Sequence, residues 1–122
     1  MASVHQQDVQ AKFTALYAAF NARDIDGVLA SLAPDVDWPA SSEGGRAHGH
    51  AAVRGYWTRQ WQSIDPHVQP VRIAEDDAGR VVVDVHQVVH DRAGTLLADV
   101  MVQHVYTLCD GLVTHMEIRP GR

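Results

Sequence analysis

The segment spanning residues 80–119 constrains this chain most, because it reads as three consecutive strands of alternating character. The dipeptide Asp110-Gly111 separates the last two runs, and this pair is a strong mark of a two-residue hairpin turn. Pairing around that turn places Tyr106 opposite His115. The segment therefore predicts an antiparallel meander whose register decides which side chains meet.

The connection before it is compatible with two lengths, a four-residue loop over residues 91–94 or a two-residue turn at Ala93-Gly94. Both lengths keep the same alternation, because successive side chains of a strand point to opposite faces. His86 and Asp99 therefore share one face. They lie directly opposite each other with the longer loop and diagonally with the shorter turn.

Both faces of the predicted sheet are substantially apolar. One carries Val82, Asp84, His86, Val88, Asp99, Met101, Gln103, Val105, Met116 and Ile118, and the other carries Val81, Val83, Val85, Val89, Val100, Val102, His104, Tyr106 and Val113. An antiparallel sheet usually buries one face and exposes the other, so this sheet needs two covers. The upstream helices can cover one face, and a second copy of the chain is the natural cover for the other. The predicted homodimer forms through an outer face that includes Val83, Val85, Val102, His104, Tyr106 and His115.

Length and charge exclude several classes of protein. The 122 residues fit a single domain over 1–122, and the net charge of -5 comes with only one lysine, Lys12. Because nucleic-acid binding needs clustered cations, no nucleic-acid partner is expected. Cys109 is the sole cysteine, which excludes an internal disulfide and favours a reducing compartment. No apolar run approaches the roughly 20 residues of a membrane span, so we expect a cytoplasmic protein without a membrane partner.

Helical spacing predicts three N-terminal helices. The first begins at a capping box at Ser3 and ends near Asn21, Asp24 caps a short second helix, and the third covers about residues 51–63. A short strand over residues 35–38, a loop over residues 40–49 and a strand over residues 71–75 complete the order. Segregated helices and antiparallel strands predict an α+β fold, a cone-shaped barrel of curved, mainly antiparallel sheet around the three helices. Its apolar interior is a usual place for a small ligand.

Four segments, at residues 20–27, 32–39, 49–57 and 110–113, occur in an order and spacing that resemble a known family. The chain is similar to the nuclear transport factor 2-like superfamily, in its SnoaL-like (polyketide cyclase and ketosteroid isomerase) branch. The resemblance implies a cone-shaped α+β barrel with a deep pocket, often a homodimer through the open face of the sheet.

The resemblance also bears on activity. Ketosteroid isomerases use a carboxylate base, a tyrosine and a further acid, and the corresponding positions here are Trp38, Leu16 and Gln103. Leu16 and Trp38 cannot transfer those protons, which speaks against ketosteroid isomerisation, although Tyr17 and Asp37 lie one residue away. Polyketide cyclases of this branch work without a cofactor through a His/Asp pair, so the resemblance implies that no cofactor is needed.

His86 and Asp99 are the strongest candidates for a catalytic pair. An aspartate that accepts from one ring nitrogen fixes the histidine tautomer and leaves the other nitrogen for a substrate proton. In an apolar cone such a histidine titrates near neutral pH. The alternative is a buried pair that satisfies itself, or a pair pointing to solvent at the rim of the sheet.

Other side chains are candidates for ligand contacts. Gln103 can orient a ligand carbonyl or bond within the core, and Tyr17 has a hydroxyl that needs a partner when buried. Further aromatic and thioether side chains either line a pocket or form ordinary core: Phe13, Trp38, Tyr56, Trp57, Trp61 and Met116. His48 and His50 flank a glycine and, without cysteines, are a weak indication of a metal, so no metal site is predicted.

The sequence thus predicts a protein that binds a small hydrophobic molecule and performs cofactor-free acid–base chemistry on it. The reaction class would be that of a cyclase, isomerase or hydratase, or of a lyase or hydrolase. Two alternatives with the same fold remain, a non-catalytic ligand carrier and a dimerisation or protein-interaction module, because a fold does not fix a function.

Overall fold

The computed structural model describes residues 4–40 and 43–121. Its elements in chain order are α1 (Val4–Asn21), α2 (Ile25–Leu29), β1 (Leu32–Ala40), β2 (Gly45–His48), α3 (Gly49–Ser63), β3 (Ile64–Glu75), β4 (Val81–Asp91), β5 (Leu96–Cys109) and β6 (Leu112–Pro120). The strands form one sheet in the order β2-β1-β6-β5-β4-β3; β1 and β6 pair in parallel, and the other neighbouring strands pair antiparallel. The predicted α+β class is confirmed, with β2 and β3 as the edges of a sheet that does not close.

The helices follow the predicted signals. α1 buries Phe13, Leu16 and Tyr17, which recur at helical spacing, and its side chain Asn21 bonds both backbone groups of Val68 on β3 (2.8 and 3.0 Å). The proposed cap at Ser3 lies outside the described residues. Asp24 caps α2 as predicted, because its carboxylate accepts from the backbone N–H of Gly27 at 3.0 Å.

Three strands differ from the sequence prediction, and the first of them, β1, covers Leu32–Ala40 rather than residues 35–38. β2 lies within the segment that we predicted as a loop, and it forms by antiparallel pairing with β1, so that Trp38 lies opposite Ala47. β3 begins at Ile64 rather than near residue 71 and includes Pro66 and Pro70. These prolines are tolerated because β3 is an edge strand, where a missing N–H donor breaks fewer ladder bonds.

The hairpin between β5 and β6 has the predicted turn but a different register. Asp110 (φ 52°) and Gly111 (φ 81°) both have positive φ, as a type I′ turn requires. A bulge then shifts the pairing by one residue after Leu108, so that Tyr106 faces Met116 instead of His115. The bulge therefore moves Met116 onto the face that carries Tyr106.

The face that packs against the helices is the opposite of the one predicted to hold the site. The core includes Val81, Val83, Val85, Tyr106, Val113 and Met116 from the sheet, and His104 is buried beside Tyr106. The dimer face predicted through Val83, Val85, His104 and Tyr106 is therefore wrong, because these side chains are inside. Val102 shares their face and is half-buried, whereas His115 lies 3.3 Å from Asp37 on the other side of the sheet.

None of the helices within the described ranges is long and apolar enough to cross a membrane.

Candidate functional site

A cavity of about 90 Å³ lies between the helices and the concave face of the sheet. Most of its lining is apolar, from Leu16, Phe20, Val28, Trp38, Pro39, Trp57, Pro66, Val68, Met116 and Ile118. Its polar lining comes from Tyr17, Tyr56, Gln60, Gln87, His104 and Tyr106. The volume exceeds what a single water needs, yet it is below the roughly 300–1,000 Å³ of pockets that enclose drug-sized ligands. The cavity therefore fits a ring-sized group with a few polar contacts.

Three buried side chains form a hydrogen-bonded cluster in this cavity. The hydroxyl of Tyr17 lies 2.7 Å from Nδ1 of His104 and 2.9 Å from the hydroxyl of Tyr106. α1 supplies Tyr17, while His104 and Tyr106 are two residues apart on β5 and so share the concave face. We call these three residues the Tyr–His–Tyr cluster.

Burial keeps the Tyr–His–Tyr cluster uncharged at neutral pH. Desolvation lowers the pKa of His104 to about 4, which favours the neutral imidazole. Desolvation also raises the pKa values of Tyr17 and Tyr106 above their ordinary range. Among the described residues that line the cavity, none is Asp, Glu, Lys or Arg. The cavity therefore contains hydrogen-bonding groups but no formal charge.

The cluster can act as a donor or as an acceptor, depending on the histidine tautomer. If Nδ1 of His104 accepts from Tyr17, then Tyr106 donates to Tyr17 and both phenolic protons are used within the cluster. If Nδ1–H donates to Tyr17, then either phenol can donate to the other, and one of the two phenolic protons is free for a ligand oxygen. A shift of protons along the three groups thus changes whether the cavity presents a free hydrogen-bond donor to a ligand.

Aromatic rings form one wall of the cavity in two layers. Trp38 and Trp57 line it and meet edge to face, with ring centroids 5.4 Å apart. Behind them, Trp61 stacks on Trp57 at 6.0 Å, and Phe13 packs against Tyr106 at 4.8 Å. Phe13 and Trp61, both predicted as ligand contacts, therefore support the wall from outside the cavity.

The structure brings His86 and Asp99 together but outside the cavity. Nε2 of His86 lies 2.6 Å from Oδ1 of Asp99, and the pairing is diagonal because His86 faces Met101 across the ladder. Their side chains are 43% and 56% exposed on the convex face. Gln103 lies on that face too and donates to Asp84 at 2.9 Å. The predicted placement of His86, Asp99 and Gln103 inside the cone is wrong.

The other side chains predicted to contact a ligand differ in whether they line the cavity. Tyr17, Trp38, Tyr56, Trp57 and Met116 line the cavity, so the structure leaves them as candidates for ligand contacts. His104 and Tyr106 were missed as site residues, because the sequence analysis assigned them to the dimer face. A signal for them existed: they lie opposite Val83 and Val81 on β4, in an inward face that is apolar apart from them and Gln87.

Asp37 belongs to a separate polar cluster on the outer face of β1. Its carboxylate accepts from Arg46 at 2.6 Å and lies 3.4 Å from His48 and 3.3 Å from His115. The hydrogen bond from Arg46 is the main reason that the pKa of Asp37 is lowered. Asp37 is therefore not positioned as a base for the cavity. The one-residue shift in alignment, which would put Asp37 in place of Trp38 as the isomerase base, is not observed.

The histidines beside Gly49 have structural contacts. Nε2–H of His50 donates to the carbonyl oxygen of Leu32 at 2.8 Å, which holds the start of α3 against β1. In the part of the chain that the structure describes, no group of three or more His, Cys, Asp or Glu side chains is arranged to hold a metal ion.

Residues 13–116 match the family model of the SnoaL-like domain. Among solved structures, the chain is similar to TerC co-crystallised with polyporic acid, with 31% identity, a TM-score of 0.77, and coverage of 88% of this chain and 87% of that one. It is also similar to an NTF2-like protein of unknown function from Burkholderia pseudomallei, with 31% identity, a TM-score of 0.78, and coverage of 90% and 88%. A candidate polyketide cyclase from Xanthomonas campestris is 28% identical, with a TM-score of 0.75 and coverage of 92% and 89%. No curated protein matches the chain significantly.

Proposed function

The chain belongs to the SnoaL-like domain family, and from this premise we propose that it binds a small, mostly apolar and uncharged molecule in its cavity. We propose further that it performs cofactor-free acid–base chemistry of the cyclase, isomerase or hydratase type on that molecule. The observation that carries the proposal is the Tyr–His–Tyr cluster, a set of hydrogen-bonding groups at an otherwise apolar site. Co-crystallisation of TerC, a relative of similar structure, with polyporic acid supports a small-molecule ligand.

The absence of charge from the described lining supports an uncharged ligand. An ion that enters the cavity loses its hydration and meets no countercharge there, which is costly. A ligand with one hydroxyl or carbonyl oxygen instead finds a partner in Tyr17 or Tyr106 and apolar contact with Trp38 and Trp57. The site thus favours a ring-sized apolar group that carries one oxygen.

The same cluster supports acid–base chemistry on a ligand oxygen. Tyr106 donates to the oxygen and stabilises negative charge that develops on it. A proton leaves the ligand carbon next to that oxygen for the hydroxyl oxygen of Tyr17, and the Tyr17 proton moves to Nδ1 of His104, although the low pKa of His104 makes it a weak base in the empty cavity. A negative charge on the ligand beside the ring favours the imidazolium, so both charges develop together.

A non-catalytic carrier is the second candidate, and one observation favours it. No carboxylate is among the described residues that line the cavity, so a strong base for carbon acids is not evident there. The two functions differ in turnover. An enzyme of the proposed type accelerates exchange of the protons next to the carbonyl of β-tetralone with D2O, which ¹H NMR follows, whereas a carrier binds the ketone without exchange.

Replacing Tyr17 with phenylalanine is expected to weaken binding of 4-methylphenol about tenfold. The substitution removes the central hydroxyl of the Tyr–His–Tyr cluster and leaves its apolar ring, and one hydrogen bond of this kind is worth about 1–1.5 kcal/mol. Isothermal titration calorimetry measures the affinity. His86→Gln is the matched control, because His86 lies on the convex face and its loss should leave the affinity unchanged. Weaker binding in His86→Gln with unchanged binding in Tyr17→Phe would refute this site.

We also propose that the chain forms a homodimer through the convex face of the sheet, which supersedes the face predicted from the sequence. The family resemblance supports it, and so does Met101, which is 38% exposed in the middle of that face. Met101→Glu is expected to convert the dimer to a monomer in light scattering coupled to size-exclusion chromatography, because it places a charge in a desolvated contact. Val71→Glu, at an exposed apolar site on the edge strand β3, serves as the control. A wild-type chain that elutes as a monomer contradicts the proposal.

A further inference from the structure

We infer that the ligand is elongated, with a ring-sized oxygen-bearing head in the cavity and an apolar tail that lies over Val100 and Ile118 on the concave face of the sheet. This inference rests on the proposed function, because it starts from a head group that binds to the Tyr–His–Tyr cluster.

The mouth of the cavity is marked by Ile118. This side chain lines the cavity and is nevertheless 43% exposed, so it lies where the cavity meets solvent. Gln87 also lines the cavity and is only half-buried. The mouth therefore opens across β4, β5 and β6 on the side of the sheet that carries the cluster.

The strand register continues the concave face beyond this mouth. His104 pairs with Ile118, and Gln87 pairs with Val100, so all four side chains share one face. Val100 is 45% exposed, and Val102 lies between it and His104 on the same face. We call Val100, Val102 and Ile118 the mouth strip, an apolar path that starts where the cavity ends.

The length of the strip fits a chain of several carbons. Val100 lies four positions before His104, which in a strand corresponds to roughly 13 Å. The cavity alone, at about 90 Å³, accommodates little more than a ring. A larger ligand must therefore extend through the mouth, where it meets Val100, Val102 and Ile118 beside the polar side chain of Gln87.

The side chains of the mouth strip favour an occupant that is apolar and carries no charge. Covering exposed Val100 and Ile118 with methylene groups removes apolar surface of both partners from water, which is favourable in proportion to the area. A charged tail gains nothing from these side chains. The tail is therefore an alkyl or similar apolar chain continuous with the head in the cavity.

A series of 4-alkylphenols from methyl to hexyl tests the inference by calorimetry. The affinity for the wild-type chain is expected to rise about twofold for each added methylene, which corresponds to half-burial of each group. Val100→Ser should flatten this rise while leaving the affinity for 4-methylphenol unchanged. Val71→Ser, which replaces an exposed valine away from the mouth (62% exposed, against 45% for Val100), should keep the full rise.

The outcomes separate the inference from the proposed function. If 4-methylphenol binds but the affinity does not rise with chain length, or rises equally in Val100→Ser, the mouth strip is not a ligand subsite and the head site stands. If 4-methylphenol fails to bind while longer members bind with a rise that Val100→Ser flattens, the strip stands and the head site falls. If Val100→Ser instead changes the oligomeric state and leaves the rise intact, the strip is covered by a second copy and the inference is wrong.

Discussion

Replacing Trp57 with alanine is expected to lower the free energy of unfolding by about 4 kcal/mol. Trp57 is fully buried on α3 and is the centre of the aromatic wall. Its ring meets Trp38 at 5.4 Å, Phe20 at 5.5 Å and Trp61 at 6.0 Å, so its loss leaves three rings without their shared partner. The loss also joins a new void to the existing cavity, which the surrounding backbone cannot fill.

Urea denaturation followed by far-ultraviolet circular dichroism measures this change without relying on tryptophan fluorescence. Trp57→Phe keeps a ring in the wall and should cost roughly 1–2 kcal/mol. Trp61→Ala is the position control, because Trp61 stacks on Trp57 from the outer layer and is only partly buried, so a smaller loss than that of Trp57→Ala is expected. Equal losses at both positions would show that the wall has no central residue.

The helices and the β5–β6 turn could be predicted because their signals are local. Asp24 caps α2 through a neighbour three residues away, and Asp110-Gly111 determines its own turn through two positive φ angles. Neither feature depends on what packs against it. β2 is different, because residues 45–48 form a strand only by pairing with β1.

The candidate site was misplaced because alternation identifies which residues share a face but not which face is inside. The prediction placed the His86–Asp99 pair inside the cone, and it therefore placed every valine of the other face outside. The relevant signal was the charge and number of polar residues: over the paired residues 81–89 and 98–106 the convex face has Asp84, His86, Asp99 and Gln103, whereas the concave face has Gln87, His104 and Tyr106 and no carboxylate. The face with fewer polar groups loses less hydration on burial, and it is the one that packs against the helices.

A second cause was the bulge between Thr107 and Leu108. No glycine or turn residue marks it in the sequence, and it follows from the way β6 pairs with both β5 and β1. Beyond it every side chain of β6 changes face, which brings Met116 and Ile118 to the cavity and removes His115 from Tyr106. The composition of the cavity therefore depends on one residue of register that only the assembled sheet determines.

We expect the titration of His104 to account for about 3 kcal/mol of the pH dependence of the free energy of unfolding. Its pKa is about 4 in the folded chain and about 6.5 when unfolded, and each unit of difference corresponds to about 1.36 kcal/mol. Between these values the unfolded chain binds the proton and the folded chain does not. Stability from this residue is therefore complete above pH 6.5 and is lost as the pH falls toward 4.

His104→Gln isolates this component, since glutamine does not titrate and its amide can still bond to the hydroxyl of Tyr17. The groups that face His104 from α1 and β5, Tyr17 and Tyr106, remain neutral over the whole range because burial raises their pKa values. Urea unfolding at pH 7 and pH 4.5 should show a drop in the wild-type chain that is larger by about 2–3 kcal/mol than the drop in His104→Gln. His5→Gln, at an exposed position on α1 away from the convex face, serves as the control and should behave like the wild-type chain. Parallel pH profiles for the wild type and His104→Gln would mean that His104 is hydrated in the native state, and a hydrated ring is incompatible with the apolar, uncharged cavity on which the ligand proposal depends.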